Sequence, residues 1–584
     1  MKREDSIVSD LSCWAVMAVF VAGLAVLAVR LKEVQVDGAP DYNYEKARQS
    51  VRRVQTAGPR GRILDRRGRV LAENRRALSI VCNAAVFRKR TWDATESAIA
   101  EAVSNVAAVV GRPSPLTVRA ISRHVRQSLA MPLVAWRDLS EEELARFSEH
   151  SWLHPGFSVA ETEERVYPNG CLACHLVGYV GRDRAHGEEG DERFSFREFD
   201  LCGRSGLELY YDGFLRGVAG EKKLLVDARG FSEREWVVSE ARRGPDLCLT
   251  IDADIQRVAE EQLAGVRGAC VALDPRDGSL LAMASSPGFD LNEFVPMLSR
   301  EVYSRYLDDP AKPLLNRASG GTYAPGSTFK PVTALAGLEM GYPADADYDC
   351  SGVFALGAMR LHCARRWGHG PIDIKEALKV SCNTFFCNLG MDIGTNAVMS
   401  AARAFGLGER TGIDFPDDRA GLVPNDAWKR KTYGERWYPG DLAQMSIGQG
   451  MLLASPLQMA LVAGAVGTGY LVTPHLKYGV PPARRALPFS RRSLEIVREG
   501  MRLVVAGGSG SLGGEGVDAE VCGKTGTAEY GLGENRRKNT WFIAYAPAGA
   551  PRAAVALVVE NGESGGGTAA PRVAAVLRRI FNAR

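Results

Sequence analysis

Apolar positions along the chain fall into three spacings, and each predicts a different element. Residues 11–29 form one uncharged, mostly apolar run, about the length that spans a bilayer. Ile99, Val103, Val106 and Val110 recur every three to four residues. That period predicts a helix with a capping-box-like start at Asp93–Glu96 and a stop at Gly111 and Pro113. Ser140 with Glu143 opens another short helix. Short apolar runs bounded by turn residues predict strands. They fall at residues 63–64 and 70–72, around a polar turn closed by Gly68, and again at 177–180 and 221–229.

After about residue 246 the order of elements becomes regular. A strand at 248–251 leads into a helix over 254–263, begun by Asp252. Residues 271–273 and 279–284 form a hairpin around Asp274-Pro275-Arg276-Asp277-Gly278. A helical block runs from 327 to 466. Strands return at 521–530, 541–545 and 553–559, and an amphipathic helix closes the chain over 572–581. Strands, then helices, then strands, with no βαβ rhythm, predict the α+β class.

At 584 residues the chain is too long for a single core, so two or three domains are expected. A hydrophobic content of 46% and a charged content of 24% are those of a globular protein. A net charge of +4 on this length makes no electrostatic case for nucleic acid. Lys2 and Arg3 precede the apolar run and Arg30 and Lys32 follow it, so flanking charge does not orient it. A signal peptide cleaved near Val26 and Ala28 is the rival to an anchor, but the run is long for a signal core. The expectation is a tail over 1–10, a membrane anchor over 11–31, a non-catalytic domain over 32–245 and a catalytic domain over 246–584, with the bulk exported.

Three polar sets carry candidate chemistry. Ser327 and Lys330 open a helix and share its face, so a lysine of depressed pKa would sit beside a serine nucleophile. Alone, the pair reads better as an N-cap serine with a solvated lysine. Ser381 and Asn383 follow an apolar helix, and Lys524-Thr525-Gly526-Thr527 lies on a late strand. In this order the three sets are a strong signal.

Twelve cysteines are scattered along the chain. Cys171-Leu172-Ala173-Cys174-His175 matches the haem c attachment pattern, but a single copy without a partner ligand reads better as packed thiols or a local disulfide. Cys350, Cys363, His369 and Cys382 make a Cys-x12-Cys-x5-His-x12-Cys set suited to tetrahedral zinc. The alternative there is a Cys350–Cys363 disulfide or plain buried thiols.

With these sets, the chain resembles the class B penicillin-binding proteins, peptidoglycan DD-transpeptidases of the penicilloyl-serine family. Further landmarks are Arg60-Gly61 through Gly68, Arg165 through His175, Gly178-Tyr179, Ser446-Ile447-Gly448-Gln449-Gly450 and Thr473-Pro474-His475. Cys382 departs from the aspartate of the family's second motif. No glycosyltransferase-like segment follows the anchor, unlike in the class A enzymes. The resemblance implies an N-terminal pedestal, of dimerisation type, under a transpeptidase domain whose antiparallel sheet is flanked by helices. It implies Ser327 as nucleophile, Lys330 as base, Ser381 as proton relay, Asn383 as a donor-peptide contact, and Lys524, Thr525 and Thr527 around the substrate carboxylate. Gly526 would let an extended peptide lie on the strand edge, and the Ser327 and Thr527 N–H groups would form the oxyanion hole.

Trp367-Gly368-His369-Gly370 followed by Ser381-Cys382-Asn383 resembles the elongation-type branch, penicillin-binding protein 2, some members of which hold zinc here. The implied partners are peptidoglycan stem peptides, β-lactams, the inner membrane, a SEDS-type glycan polymerase and rod-shape scaffold proteins. A carboxypeptidase or β-lactamase of the same fold, or a β-lactam sensor without turnover, is the alternative.

Overall fold

The computed structural model describes residues 4–37, 51–114, 116–127, 131–182, 195–197, 201–226, 232–295, 298–512, 516–531 and 537–582. The first apolar run is a continuous helix, Glu4–Lys32, and its residues from 11 onward are exposed. Among the described residues it is the one helix long and apolar enough to cross a membrane.

In the first domain, strands Ile63–Leu64 and Val70–Cys82 pair across the expected turn, with Gly68 at φ 80°. The second strand runs far past residue 72. Its continuation pairs with Phe157–Val166, from Glu73 opposite Val166 to Cys82 opposite Phe157, and no local pattern names that partner. The helix over Trp92–Val110 buries Ile99, Val103, Val106 and Val110 as its period requires. Its cap is Thr91, two residues earlier than expected, because the Thr91 side chain accepts the Ala94 N–H; Gly111 ends it in the left-handed region. Residues 177–180 are not a strand. Cys174–Val177 is a helical turn, Gly178 breaks it at φ 73°, and the strand begins at Val180. A Cβ at Gly178 would stand 2.0 Å from the Ser205 carbonyl oxygen, so backbone crowding decides this bend. Cys174 and His175 are buried, both thiols of the Cys171/Cys174 pair are free, and His175 Nε2 is 2.6 Å from the Pro313 oxygen.

Three ionic groups from distant segments close the domain's interior. Glu208 accepts from Arg60 Nε and Arg165 Nε, both at 2.8 Å, and all three side chains are essentially inaccessible. Arg165 also donates to the Gly61 carbonyl, which ties the Arg60–Gly61 stretch to Arg165 and Glu208. The two domains then lock together. Arg69 bonds Asp65 and Asp254, Asp254 also accepts from Arg579 near the C-terminus, and the Tyr211 hydroxyl donates to Asp414 at 2.5 Å. One apolar cluster runs through both domains, from Ile63, Leu71 and Leu176 to Phe289, Phe294 and Leu335.

The second domain is built on a five-stranded antiparallel sheet. Its order is Leu280–Ser286, Gly268–Leu273, Ala553–Glu560, Arg537–Ala546 and Cys522–Tyr530. Helices Ala253–Glu261 and Ala570–Phe581 pack together with the sheet's outer cluster, while the apolar helix Pro456–Thr468 is buried on the inner side. The expected helical block is interrupted. Tyr348–Cys350 pairs with Gly370–Ile372, and Val353–Leu356 pairs with Met359–His362, so small hairpins stand in front of the helices Ile374–Lys379 and Asn383–Ala404.

Glu208→Ala would leave the buried Arg165 guanidinium without its carboxylate and Arg60 with Asp212 alone. A loss of about 3–5 kcal/mol is expected, read as a shifted denaturant midpoint for the purified full-length protein; an unchanged midpoint would show that the trio carries no stability.

Candidate active site

Ser327 lies in the tight turn Gly326–Phe329, which feeds the buried helix Lys330–Glu339. The turn is pressed against the edge strand Cys522–Tyr530. Gly326 has φ 56°, and a Cβ there would meet the Thr527 carbonyl oxygen at 2.8 Å, so only glycine suits the position. From the other side Gly326 N–H donates to the Gly448 oxygen at 2.7 Å, which places the Ser446–Gly450 landmark against the turn.

Lys330 is completely buried. Its Nζ donates to the Ser381 carbonyl oxygen (2.7 Å), Asn383 Oδ1 (2.7 Å) and Ser381 Oγ (3.3 Å). Among the described hydrogen bonds none joins it to Ser327 Oγ, so the helix-face expectation is met only in part. The lysine reaches across the cleft to the second set, and catalytic hydrogen bonds often tighten only when substrate is bound. Lys524, also fully buried, donates to the same Ser381 Oγ at 2.9 Å. One hydroxyl thus sits between two lysines. Burial pushes the Lys330 ammonium down to about 8, against a smaller opposing pull from nearby thiols. Lys524 is lowered well below its ordinary value, first by burial and then by the charge of Lys330. A lysine so placed can lose its proton near neutral pH, as a serine nucleophile requires.

Ser381 holds its position under strain. Its φ is 58°, a left-handed conformation that a non-glycine residue adopts rarely. The next residue, Cys382, caps the following helix, its Sγ accepting the Phe385 N–H. Asn383 Nδ2 donates to the His362 carbonyl at 2.7 Å, so the amide bridges Lys330 and the Met359–His362 hairpin.

Along the edge strand, side chains alternate. Lys524 and Gly526 face the nucleophile turn. A Cβ at Gly526 would lie 2.8 Å from Thr328 Cγ2 and 2.9 Å from the Pro325 oxygen. The close approach of the nucleophile turn therefore by itself requires glycine at 526. Thr525 Oγ1 lies 2.8 Å from Ser509 Oγ, and the Thr527 carbonyl accepts from Gln449 Nε2 at 3.3 Å. No sequence signal marked Ser509 beyond its glycine-rich surroundings.

Cys350, Cys363, His369 and Cys382 converge behind the Ser381 loop, with all donor atoms within 4.8 Å of one another. The sulfur separations are 3.4, 3.6 and 3.7 Å, and Cys350 Sγ is 3.3 Å from His369 Nδ1. A tetrahedral ion with Zn–S bonds of about 2.3 Å separates its sulfurs by roughly 3.7 Å, whereas a disulfide needs about 2.05 Å. The donor set and spacing therefore fit zinc better than a bridge. Thr384 donates to Cys350 Sγ at 2.9 Å, a supporting contact that no spacing rule reveals.

Residues 268–580 match the penicillin-binding protein transpeptidase domain, and residues 55–249 match the penicillin-binding protein dimerisation domain. The chain belongs to the penicillin-binding protein transpeptidase family. It is 32% identical to the peptidoglycan D,D-transpeptidase MrdA of Acinetobacter baumannii, over 94% of this chain and 84% of that protein. It is 30% identical to the MrdA of Escherichia coli, over 95% and 91%. Among solved structures, the complex of penicillin-binding protein 2 with MreC from Helicobacter pylori matches with a TM-score of 0.78 at 25% identity, covering 91% of this chain and 99% of that one. Pseudomonas aeruginosa penicillin-binding protein 2 in complex with WCK 5153 matches with a TM-score of 0.67 at 28% identity, covering 91% and 96%. A structure titled for the coordination of polymerization and crosslinking by a peptidoglycan synthase complex matches with a TM-score of 0.72 at 29% identity, covering 98% and 99%.

A transpeptidase that uses Lys330 as its base needs that amine neutral. The second-order rate of acylation by benzylpenicillin is therefore expected to climb with pH through a midpoint near 8 and level off above it; a flat profile from pH 6 to 9 would remove Lys330 from the role.

Proposed function

We infer that this chain is a serine-type peptidoglycan D,D-transpeptidase that cross-links stem peptides during cell-wall elongation and is acylated by β-lactams. The observation that carries the reading is the convergence of three distant sets on Ser381 Oγ, held between Lys330 and Lys524 beside the Ser327 turn. It stands in a chain related over nearly its full length to the MrdA transpeptidases.

In this mechanism Ser327 Oγ attacks the carbonyl of a D-Ala-D-Ala peptide while neutral Lys330 takes its proton. Backbone N–H groups of Ser327 and Thr527 stabilise the developing oxyanion, donors worth about 3–4 kcal/mol each in other enzymes. Ser381 passes a proton, from the Lys330 side, to the departing D-alanine amine. The ester on Ser327 then yields to an amine of a second stem peptide, which forms the cross-link and restores the serine. The Lys524 amine lies beneath the strand, where an arriving terminal carboxylate favours its protonated form, and Thr525 and Thr527 supply hydroxyls there. Asn383, its amide held by Lys330 and the His362 carbonyl, orients the acyl donor.

Cys350, Cys363, His369 and Cys382 would hold a structural zinc ion, whose contribution is to fix the loop that presents Ser381 and Asn383. That loop has a strained residue to hold, which supports the assignment. The N-terminal helix supports a single-pass anchor in the cytoplasmic membrane with the catalytic domain outside. Relatives solved with MreC and in a peptidoglycan synthase complex support a rod-shape scaffold protein and a SEDS-type polymerase as partners.

Fluorescent penicillin is expected to label the wild-type protein stably and Ser327→Ala not at all, with cross-linking of donor and acceptor stem peptides lost in the same variant. Rapid release of the label would mark a β-lactamase instead, and a stable label without cross-linking would mark a sensor. For the metal, protein purified without chelator is expected to contain one zinc per chain and to lose both zinc and labelling rate in Cys363→Ser; a Cys350–Cys363 disulfide with no zinc would end the assignment.

A further inference from the structure

The hairpin Val353–His362 and the loop after it turn an aromatic and basic surface to solvent, and the roles above leave it unused. Trp367 is 81% exposed. Its backbone is nonetheless tightly packed. Gly368 has φ 89°, and a Cβ there would stand 1.9 Å from the Cys350 carbonyl oxygen; one on Gly352 would stand 2.2 Å from the Arg366 oxygen. The His369 N–H donates to the Cys350 carbonyl at 3.1 Å. The indole is thus held out on a backbone braced against the cysteine cluster. The Arg365 guanidinium lies 5.8 Å from its ring centre, and Arg360 and Arg366 are exposed on the same segment.

A second such pair stands on the neighbouring element. The hairpin meets the helix Pro439–Ser446, where a Cβ on Gly440 would lie 2.7 Å from Met359 Cε. Just before that helix, the Arg436 guanidinium lies 5.2 Å from the centre of the exposed Tyr438 ring. Among the described residues no carboxylate pairs with Arg360, Arg365, Arg366 or Arg436. Tyr433, Trp437 and Gly450 wall a cavity of about 250 Å³ beside this helix. Gly450 is two residues past Gly448, which holds the nucleophile turn, and the His362 carbonyl of the hairpin holds Asn383. The surface is therefore continuous with both walls of the catalytic cleft.

We propose that this surface binds the sugar backbone of an uncross-linked glycan strand, the polymer that carries the stem peptide into the site. An indole or phenol face is apolar with a negative quadrupole, so it takes the C–H face of a pyranose ring. Guanidinium groups without a carboxylate partner suit the free carboxylates of stem peptides along the strand. Two aromatic–arginine pairs on separate elements fit an extended polymer better than a small ligand. Binding energy gained on the sugars, away from the reacting carbonyl, would hold the peptide at the cleft.

This inference rests on the transpeptidase reading, and the test separates the two. Binding of dye-labelled, uncross-linked glycan strands is measured on full-length Ser327→Ala protein, with and without Trp367→Ala or Trp367→Tyr. Acylation by benzylpenicillin is measured with Ser327 intact. Trp367→Ala is expected to weaken strand binding roughly tenfold, as loss of an aromatic anchor does, and Trp367→Tyr to restore most of it. The penicillin rate should not change, because that ligand has no sugar. In Arg365→Gln/Arg366→Gln, strand binding should be weaker at low salt and less sensitive to added salt. Unchanged strand affinity in Trp367→Ala, or a parallel loss of penicillin acylation, would overturn the proposal. Wild-type protein that takes no penicillin would overturn the transpeptidase reading instead.

Discussion

Two fully buried lysines, with no carboxylate partner among the described residues, set the terms for the rest of the catalytic domain. An ammonium group taken out of water without a counter-charge is costly. Among the described residues their amines meet hydroxyl, amide and carbonyl oxygens, most of them on Ser381 and Asn383, and the Phe386 ring lies 5.6 Å from the Lys330 amine. That environment disfavours charge on both, which is a liability for stability and the property a serine acyltransferase needs. The second set is therefore more than a pair of substrate contacts. It is the polar shell around the buried Lys330 amine, and its geometry must be enforced by something else.

The enforcement comes from neighbours of several kinds. Ser381 sits at a positive φ, Cys382 caps the helix behind it, and Cys350, Cys363 and His369 gather on the same sulfur. On the opposite wall, the nucleophile turn is wedged between Gly448 and the edge strand, with Gly326 and Gly526 removing the side chains that would keep them apart. The large first domain contributes at a distance. Its buried Arg60–Glu208–Arg165 trio makes a stiff unit, and contacts through Asp254 and Asp414 carry that stiffness to the catalytic sheet.

Much of this was legible before any coordinates. The long apolar N-terminal helix, the helix at Ile99–Val110, the hairpin at residue 274 and the three late strands follow from apolar period and turn residues, which act over a few residues. Errors gathered where a longer-range contact decided the outcome. The strand after Val70 extends because Phe157–Val166 lies beside it, residues 177–180 bend because Ser205 crowds Gly178, and hairpins interrupt the helical block in front of the cysteine cluster.

By itself the sequence singled out the candidate residues, since Ser327, Lys330, Ser381, Asn383 and Lys524 are recognisable from residue type and order. Tertiary structure alone decided how they meet. Lys330 turns to Ser381 and Asn383, Gly526 serves the nucleophile turn, and an exposed serine at 509 stands against Thr525. The physical reason is range: helix and strand periods are local, whereas burial of a charge and contact between hydroxyls depend on segments brought together only when the sheet and its helices close.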